Sequence, residues 1–341
     1  MKKYLLRDAG NFYKANLHCH TTLSDGNWTP EKMKDEYKKR GYHIIAMSDH
    51  DVLRCNYHLS DDNFLVLTAY EVSIKDNNEN IPFWMKKIVD INLIAKEPYL
   101  KTQVGFNPDV MKWHIENEKI TQEEADNIEY YGGTRPWGYS PEFVKKIIED
   151  GKKNNFLVAV NHPMWSLASS EDYKEFDNAW AIEVYNHGCA SLSGLSDSES
   201  LYEEMLRSGI KLFALATDDN HNYFDDSFGG FTMIKAENLE YRSIIDALEK
   251  GEFYASCGPL IKEIYYEDGK VHISCSEAAE ISMLNAGRRG RCVLAKDGKM
   301  LTEAVFEINR NNCFDYIRFR VVDKKGKKAY TNAYYFDEFA D

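Results

Sequence analysis

His18 and His20 stand one residue apart in the stretch Asn16-Leu17-His18-Cys19-His20-Thr21-Thr22-Leu23-Ser24-Asp25-Gly26. In an extended segment, side chains at i and i+2 lie on one face. The spacing therefore aims two imidazoles at one point, with the carboxylate of Asp25 five residues further on. Neutral imidazole and carboxylate are the usual ligands of Zn, Mn and Fe. Asp219-Asn220-His221 repeats the i, i+2 relation. Glu71 and the pair Asn161-His162 directly follow apolar runs, and Asp49-His50 stands just past another. The candidate ligands are thus His18, His20, Asp25, His50, Glu71, His162, Asp219 and His221. They exceed one tetrahedral site and imply two or three divalent metal ions. Ions about 3.5–4 Å apart share a bridging carboxylate, here Glu71 or Asp25, and a bridging hydroxide that serves as nucleophile.

Seven apolar, β-branched or aromatic runs position these groups: 13–17, 44–47, 64–70, 88–94, 156–160, 180–185 and 210–216. Near-continuous apolar runs suit strands buried on both faces, as in parallel sheets. Helices fall between many of them. Thr29-Pro30 opens one over 31–40, and Ser140-Pro141 opens another that runs to about 150. Two more are expected over 199–208 and, capped by Asn238, over 239–250. Strand–helix alternation with right-handed crossovers gives a barrel or a doubly wound sheet. Polar groups at so many strand ends favour the barrel, whose strand ends converge on one mouth. Residues 75–139 break the rhythm and read as an insertion over that mouth. After Gly258-Pro259 the texture becomes all-β. Short strands are expected at 262–266, 270–275, 280–284, 304–308, 316–322 and 329–336, arranged as a small sandwich. The expected fold is α/β: a distorted (β/α)7 barrel over 1–257 and an all-β domain over 258–341.

The chain has 341 residues, 43% hydrophobic and 28% charged, as in ordinary globular proteins. A net charge of −13 disfavours diffuse attraction to nucleic acid or an anionic membrane. A metal cluster can still offset local charge for a phosphorylated substrate. The seven cysteines form no C-x-x-C and read as reduced thiols of a cytoplasmic protein. The apolar stretch near the N-terminus is far too short for a signal peptide. No run approaches the roughly 18 apolar residues of a membrane span.

The motifs Asn16-Leu17-His18-Cys19-His20-Thr21, Ser24-Asp25-Gly26 and Ser48-Asp49-His50-Asp51 resemble those of the polymerase and histidinol phosphatase (PHP) family. Glu71, Asn161-His162-Pro163, Glu183-Val184-Tyr185-Asn186 and Asp219-Asn220-His221 follow in the same order. The resemblance spans about residues 12–257. It implies a distorted seven-stranded β/α barrel, a di- or trinuclear Zn, Mn or Fe centre, and phosphoester hydrolysis. The tail resembles the small β domain that follows the barrel in a stand-alone bacterial subgroup. Many three-metal members carry a histidine on the strand after the glutamate. The counterpart here is Asp90, either a ligand or an insertion residue, which leaves two metals and three both open.

Neighbouring residues receive roles by type and position. Asp49 supports a ligand from behind. Asp51 is either a proton donor to the leaving group or a helix cap. Arg54 and Arg135 are candidates to hold phosphate bidentately, surface salt bridges being the alternative fate. Asn186 and His187, at a strand end, are candidate substrate contacts. Cys19 faces away from its histidine neighbours and packs. His43, His58, His114 and His272 read as ordinary polar residues.

The expected function is a metal-dependent phosphoesterase acting on a small phosphorylated molecule. Its rivals are a hydrolase of a non-phosphate bond, a metal-containing binding module and a DNA-processing enzyme. The acidic balance disfavours the last. Substrate identity and oligomeric state are not set by the sequence.

Overall fold

The computed structural model describes residues 2–309 and 315–339. Cys313 and the last two residues of the tail lie outside them. Among the described residues, fourteen strands form one large sheet, and its path places the expected strands side by side. From one end run Phe213–Thr217, Ala181–Asn186, Phe156–Val160, Ile88–Ala95, Leu65–Lys75, Ile44–Met47 and Asn11–Asn16. Phe231–Ala236 and Phe253–Ser256 continue the path.

Alternation along these strands accounts for their burial on both faces. Leu157 and Ala159 enter an interior cluster with Ala15, Ala46, Ala181 and Leu215. The helix Tyr241–Glu249 packs Ile244, Ile245 and Leu248 into the same cluster. Val158 and Val160 point the other way, against Val144, Ile147 and Ile148 of the helix Pro141–Lys153. That helix runs through Gly151, not ending before it. A Cβ at 151 would stand 2.8 Å from the Val158 side chain, so the glycine allows the helix to approach the sheet. The helix expected over 239–250 starts later than Asn238. Its N-cap is Glu240, whose backbone N–H donates to the Asn238 side chain.

Two expectations are corrected. The sheet is mixed: Ile88–Ala95 runs antiparallel to both of its neighbours, and Phe231–Ala236 antiparallel to Asn11–Asn16. The connection over 76–87 holds no crossover helix, only the single turn Phe83–Met85, and the chain returns beside the strand it has just left. Strand pairing also does not close the ring. Among the described residues, Phe213–Thr217 has one strand partner, and the gap to Asn11–Asn16 and Phe231–Ala236 is crossed by isolated contacts. These include a parallel bridge between Cys19 and Asn220, a bond from Thr232 Oγ1 to the Ala216 carbonyl at 3.1 Å, and one from the Asp218 N–H to Asn16 Oδ1 at 3.0 Å.

Beyond residue 258 the chain is almost entirely strand, but its strands are not set apart from the large sheet. Lys328–Thr331 pairs with Phe253–Ser256 and carries Tyr316–Val322, Glu280–Asn285 and Arg291–Leu294 onto the same path. A second sheet holds Lys3–Tyr4, Ile261–Glu267, Lys270–Ala278 and Leu301–Glu307. It packs Ile264, Ile273 and Phe306 against Met283, Phe319 and Val321. The buried Arg318 ties this region to the helix Glu199–Arg207 through Glu199 at 2.7 Å and through Glu203.

Candidate metal centre

The strand ends that carry the candidate ligands are tied together beyond the strands themselves. The His20 N–H donates to the Asn220 carbonyl at 3.1 Å, and the Asp219 N–H to the His18 carbonyl at 2.9 Å. On the far side, the Asp51 N–H donates to the Glu71 carbonyl at 2.6 Å. Asp51, His162 and Asp219 all have positive φ, at 58°, 27° and 51°. Non-glycine residues held there carry backbone strain, which collects at functional sites. His162 precedes Pro163, which narrows its conformational choice further.

Among the described residues, nine side chains converge in three groups: His20, Asp25, His50 and His221; His18, His20 and Asp219; and Glu71, Asp90 and His162. Within each group the donor atoms lie within 4.8 Å of one another. Glu71 sits among the groups, 3.1 Å from His18 Nε2, 3.3 Å from His20 Nε2 and 3.1 Å from His50 Nδ1. Asp219 Oδ1 lies 3.2 Å from His18 Nε2 and 3.1 Å from His20 Nε2. Asp90 belongs because its strand is reversed. Running antiparallel, Ile88–Ala95 brings its beginning to the mouth, and Asp90 Oδ2 stands 3.5 Å from His162 Nε2.

Hydrogen bonds set the imidazole tautomers. His18 Nδ1 faces Glu183 at 2.8 Å, His162 Nδ1 faces Ser166 Oγ at 3.3 Å, and His221 Nδ1 faces the Asp219 carbonyl at 3.1 Å. With those nitrogens donating, each Nε2 presents a lone pair to the cluster. The Nε2 atoms of His18 and His20 stand only 3.1 Å apart. Among the described residues, His20 Nδ1 and Asp90 Oδ1 are buried without a hydrogen-bond partner, and His50 Nδ1 meets Glu71 at 3.1 Å without hydrogen-bond geometry. Burial opposes ionisation of Glu71, but the surrounding imidazoles outweigh it and hold the carboxyl well below its usual range. Burial and the proximity of Glu71 push Asp90 up to about 6. Converging lone pairs, orphaned nitrogens and crowded carboxylates are the donor set that divalent cations satisfy.

The remaining candidates fall elsewhere. Asp49 accepts from Thr21 N and Oγ1, both at 2.8 Å, and from Ser24 Oγ at 2.7 Å. It thereby holds the loop that carries Asp25. Asn186 Nδ2 donates to Glu183 at 2.9 Å and to Asp219 at 3.2 Å, so it orients acids of the site. His187 turns to the Tyr185 hydroxyl at 3.0 Å. Arg54 donates to the Lys119 carbonyl and lines neither cavity at the centre. Arg135 is buried, pairs with Asp51 at 2.9 Å, and lines the second of those cavities. Asp51, largely covered beside it, lines the same cavity. Burial raises its carboxyl above the usual range despite Arg135.

Glu183 is the residue that side-chain counting passes over. One carboxylate accepts from Thr217 Oγ1 at 2.6 Å, the His162 N–H at 2.8 Å and Asn186, besides facing His18. Its signal was an acid inside a buried apolar strand, where an unpaired charge is costly. Lys75, at the end of Leu65–Lys75, was likewise unflagged and lines both cavities.

No family model and no curated protein matches the chain. Among solved structures, it is similar to a two-domain protein of Bacteroides vulgatus described as containing a predicted PHP-like metal-dependent phosphoesterase. The identity is 14% over 97% of this chain and 98% of that one, at a TM-score of 0.44. It is also similar to an inferred metal-dependent phosphoesterase of Bifidobacterium adolescentis, at 17% identity over 66% and 92% and a TM-score of 0.41. An amidohydrolase of Chromobacterium violaceum shares 17% over 62% and 89%, at 0.38. At such scores the likeness decides neither fold nor chemistry.

Proposed function

We propose that this protein is a metal-dependent phosphoesterase acting on a small phosphorylated molecule. One observation carries the reading: nine imidazole and carboxylate side chains converge in three contiguous donor groups. His20 is common to two of the groups, and Glu71 contacts His18, His20 and His50. Such spacing suits ions that share ligands and act on one phosphate. Divalent ions held there would supply a nucleophile at neutral pH and stabilise the charge that develops on phosphate oxygens.

The chain's own groups supply the rest. Glu183 fixes the His18 ring, and Asn186 steadies Asp219. Lys75 and Arg135 line the approach and suit phosphate oxygens. Desolvation shifts the Asp51 carboxyl upward, the direction that a proton donor to the leaving group requires. Aromatic side chains at the mouth, among them Phe83, Trp165 and Phe224, limit water.

The test is turnover of a phosphate-ester panel by protein loaded in turn with Zn, Mn and Fe. Hydrolysis that inorganic phosphate or sulfate inhibits competitively supports the reading. Bound metal with no hydrolysis across the panel sinks it, and turnover of a non-phosphate bond only would transfer the centre to that chemistry.

A further inference from the structure

The metal-donor groups lie where two cavities meet. The first, about 480 Å³, touches all three donor groups and is walled by Phe83, Trp165, Tyr223 and Phe224. The second, about 410 Å³, reaches the donors only through Asp25 and His50 and runs out between Trp113, Trp137, Val110 and Ile74. Both include Asp25, His50, Ser73 and Lys75 in their walls. Each volume is that of an ordinary small-molecule pocket. The second wall is built as well as apolar. Trp137 Nε1 donates to Asp109 at 3.2 Å, and Arg135 is held between Asp51 and the Ser73 carbonyl.

From this arrangement we infer that the substrate is a phosphodiester with an apolar or aromatic group on each side of phosphorus. The inference rests on the phosphoesterase reading and deepens it. A phosphomonoester has one organic group and would fill one cavity, leaving the other apolar wall in water. In the reaction, the hydroxyl of water bonds to phosphorus and the ester P–O bond to one group breaks. The proton passes to the departing oxygen. A monoester and an alcohol result, with no change of oxidation state.

Binding and turnover test this separately. Diphenylphosphinate and phenylphosphonate cannot be hydrolysed and carry two rings and one ring. Calorimetry on the metal-loaded protein is expected to show diphenylphosphinate binding about tenfold or more tightly. Trp137→Ala and Phe224→Ala, at exposed wall positions, should each weaken diphenylphosphinate by about tenfold. At most one of them should weaken phenylphosphonate. Equal or tighter binding of phenylphosphonate, or loss in only one variant for diphenylphosphinate, overturns the two-sided substrate. Turnover of bis(4-nitrophenyl) phosphate should exceed that of 4-nitrophenyl phosphate, and the reverse order also overturns it. Tight diphenylphosphinate binding with neither ester hydrolysed contradicts the phosphoesterase reading and, with it, the diester assignment.

Discussion

Glu183 Oε1 lies 2.8 Å from His18 Nδ1, so the strand Ala181–Asn186 meets the segment just past Asn11–Asn16 at the far end of the run of strands between them. The contact fixes which ring nitrogen faces the donor cluster. Carboxylates placed behind a metal-bound histidine commonly contribute 10–100-fold to affinity, so Glu183→Gln is expected to weaken metal binding by about that factor. Metal titration monitored by calorimetry checks this, with circular dichroism to confirm the fold. Unchanged affinity would make Glu183 a packing acid only.

Asp90 gives a stoichiometric prediction. Its group contains only Glu71 and His162 besides itself. Asp90→Ala should lower bound metal by one ion per chain, read by elemental analysis after dialysis, while the ions held by the other two groups stay. An unchanged ratio would place Asp90 outside the ligand set.

The adjacent acids Asp218 and Asp219 are expected to separate cleanly. Asp218 accepts the backbone N–H groups of Phe228, Gly229 and Gly230, at 2.7, 2.9 and 2.7 Å, and the Tyr37 hydroxyl at 2.6 Å. Asp218→Ala strands those buried donors and should cost about 3 kcal/mol or more of stability. Asp219→Ala should cost little stability in the metal-free protein and abolish metal binding at its group. Denaturant unfolding beside metal titration distinguishes the two. Equal effects of both variants on both measurements would contradict the division.

The tail attachment predicts acid sensitivity. Burial opposes ionisation of Glu199, but Arg318 and Arg320 outweigh it and hold the carboxyl below its usual range. A folded-state pKa below the unfolded one gives stability that is full above the ordinary value of 4.5 and is lost as pH falls through the folded value. Glu199→Gln should therefore flatten the fall in stability below about pH 4.5. Arg318→Ala leaves buried carboxylates unpaired and should cost about 3–5 kcal/mol. Urea midpoints between pH 3 and 7 measure both.

Much of the site was readable because its ligands are sparse residue types at strand ends. Asp219 was separable from Asp218 by its i, i+2 relation to His221 alone, and the structure turns Asp218 to the 228–230 loop instead. Strand positions were readable from apolar runs, but not direction. Hydrophobicity does not record whether Ile88–Ala95 runs with or against its neighbours, and that direction is what brings Asp90 to the mouth. The arginines were poorly readable for a similar reason. Arg54 and Arg135 have the same chemistry, and only tertiary contacts send one to the Lys119 carbonyl and the other to Asp51. The continuity of the tail with the large sheet depends on one long-range pairing, Phe253–Ser256 with Lys328–Thr331, which leaves no local signature.

The most direct test is a metal titration of chelator-stripped protein during continuous assay of phosphate-ester hydrolysis. Stripped protein should show no turnover, turnover should rise as the donor groups fill, and His18→Ala should lose about 100-fold or more at saturating metal. Stoichiometric metal uptake with no hydrolysis, or hydrolysis that persists without metal, would contradict it.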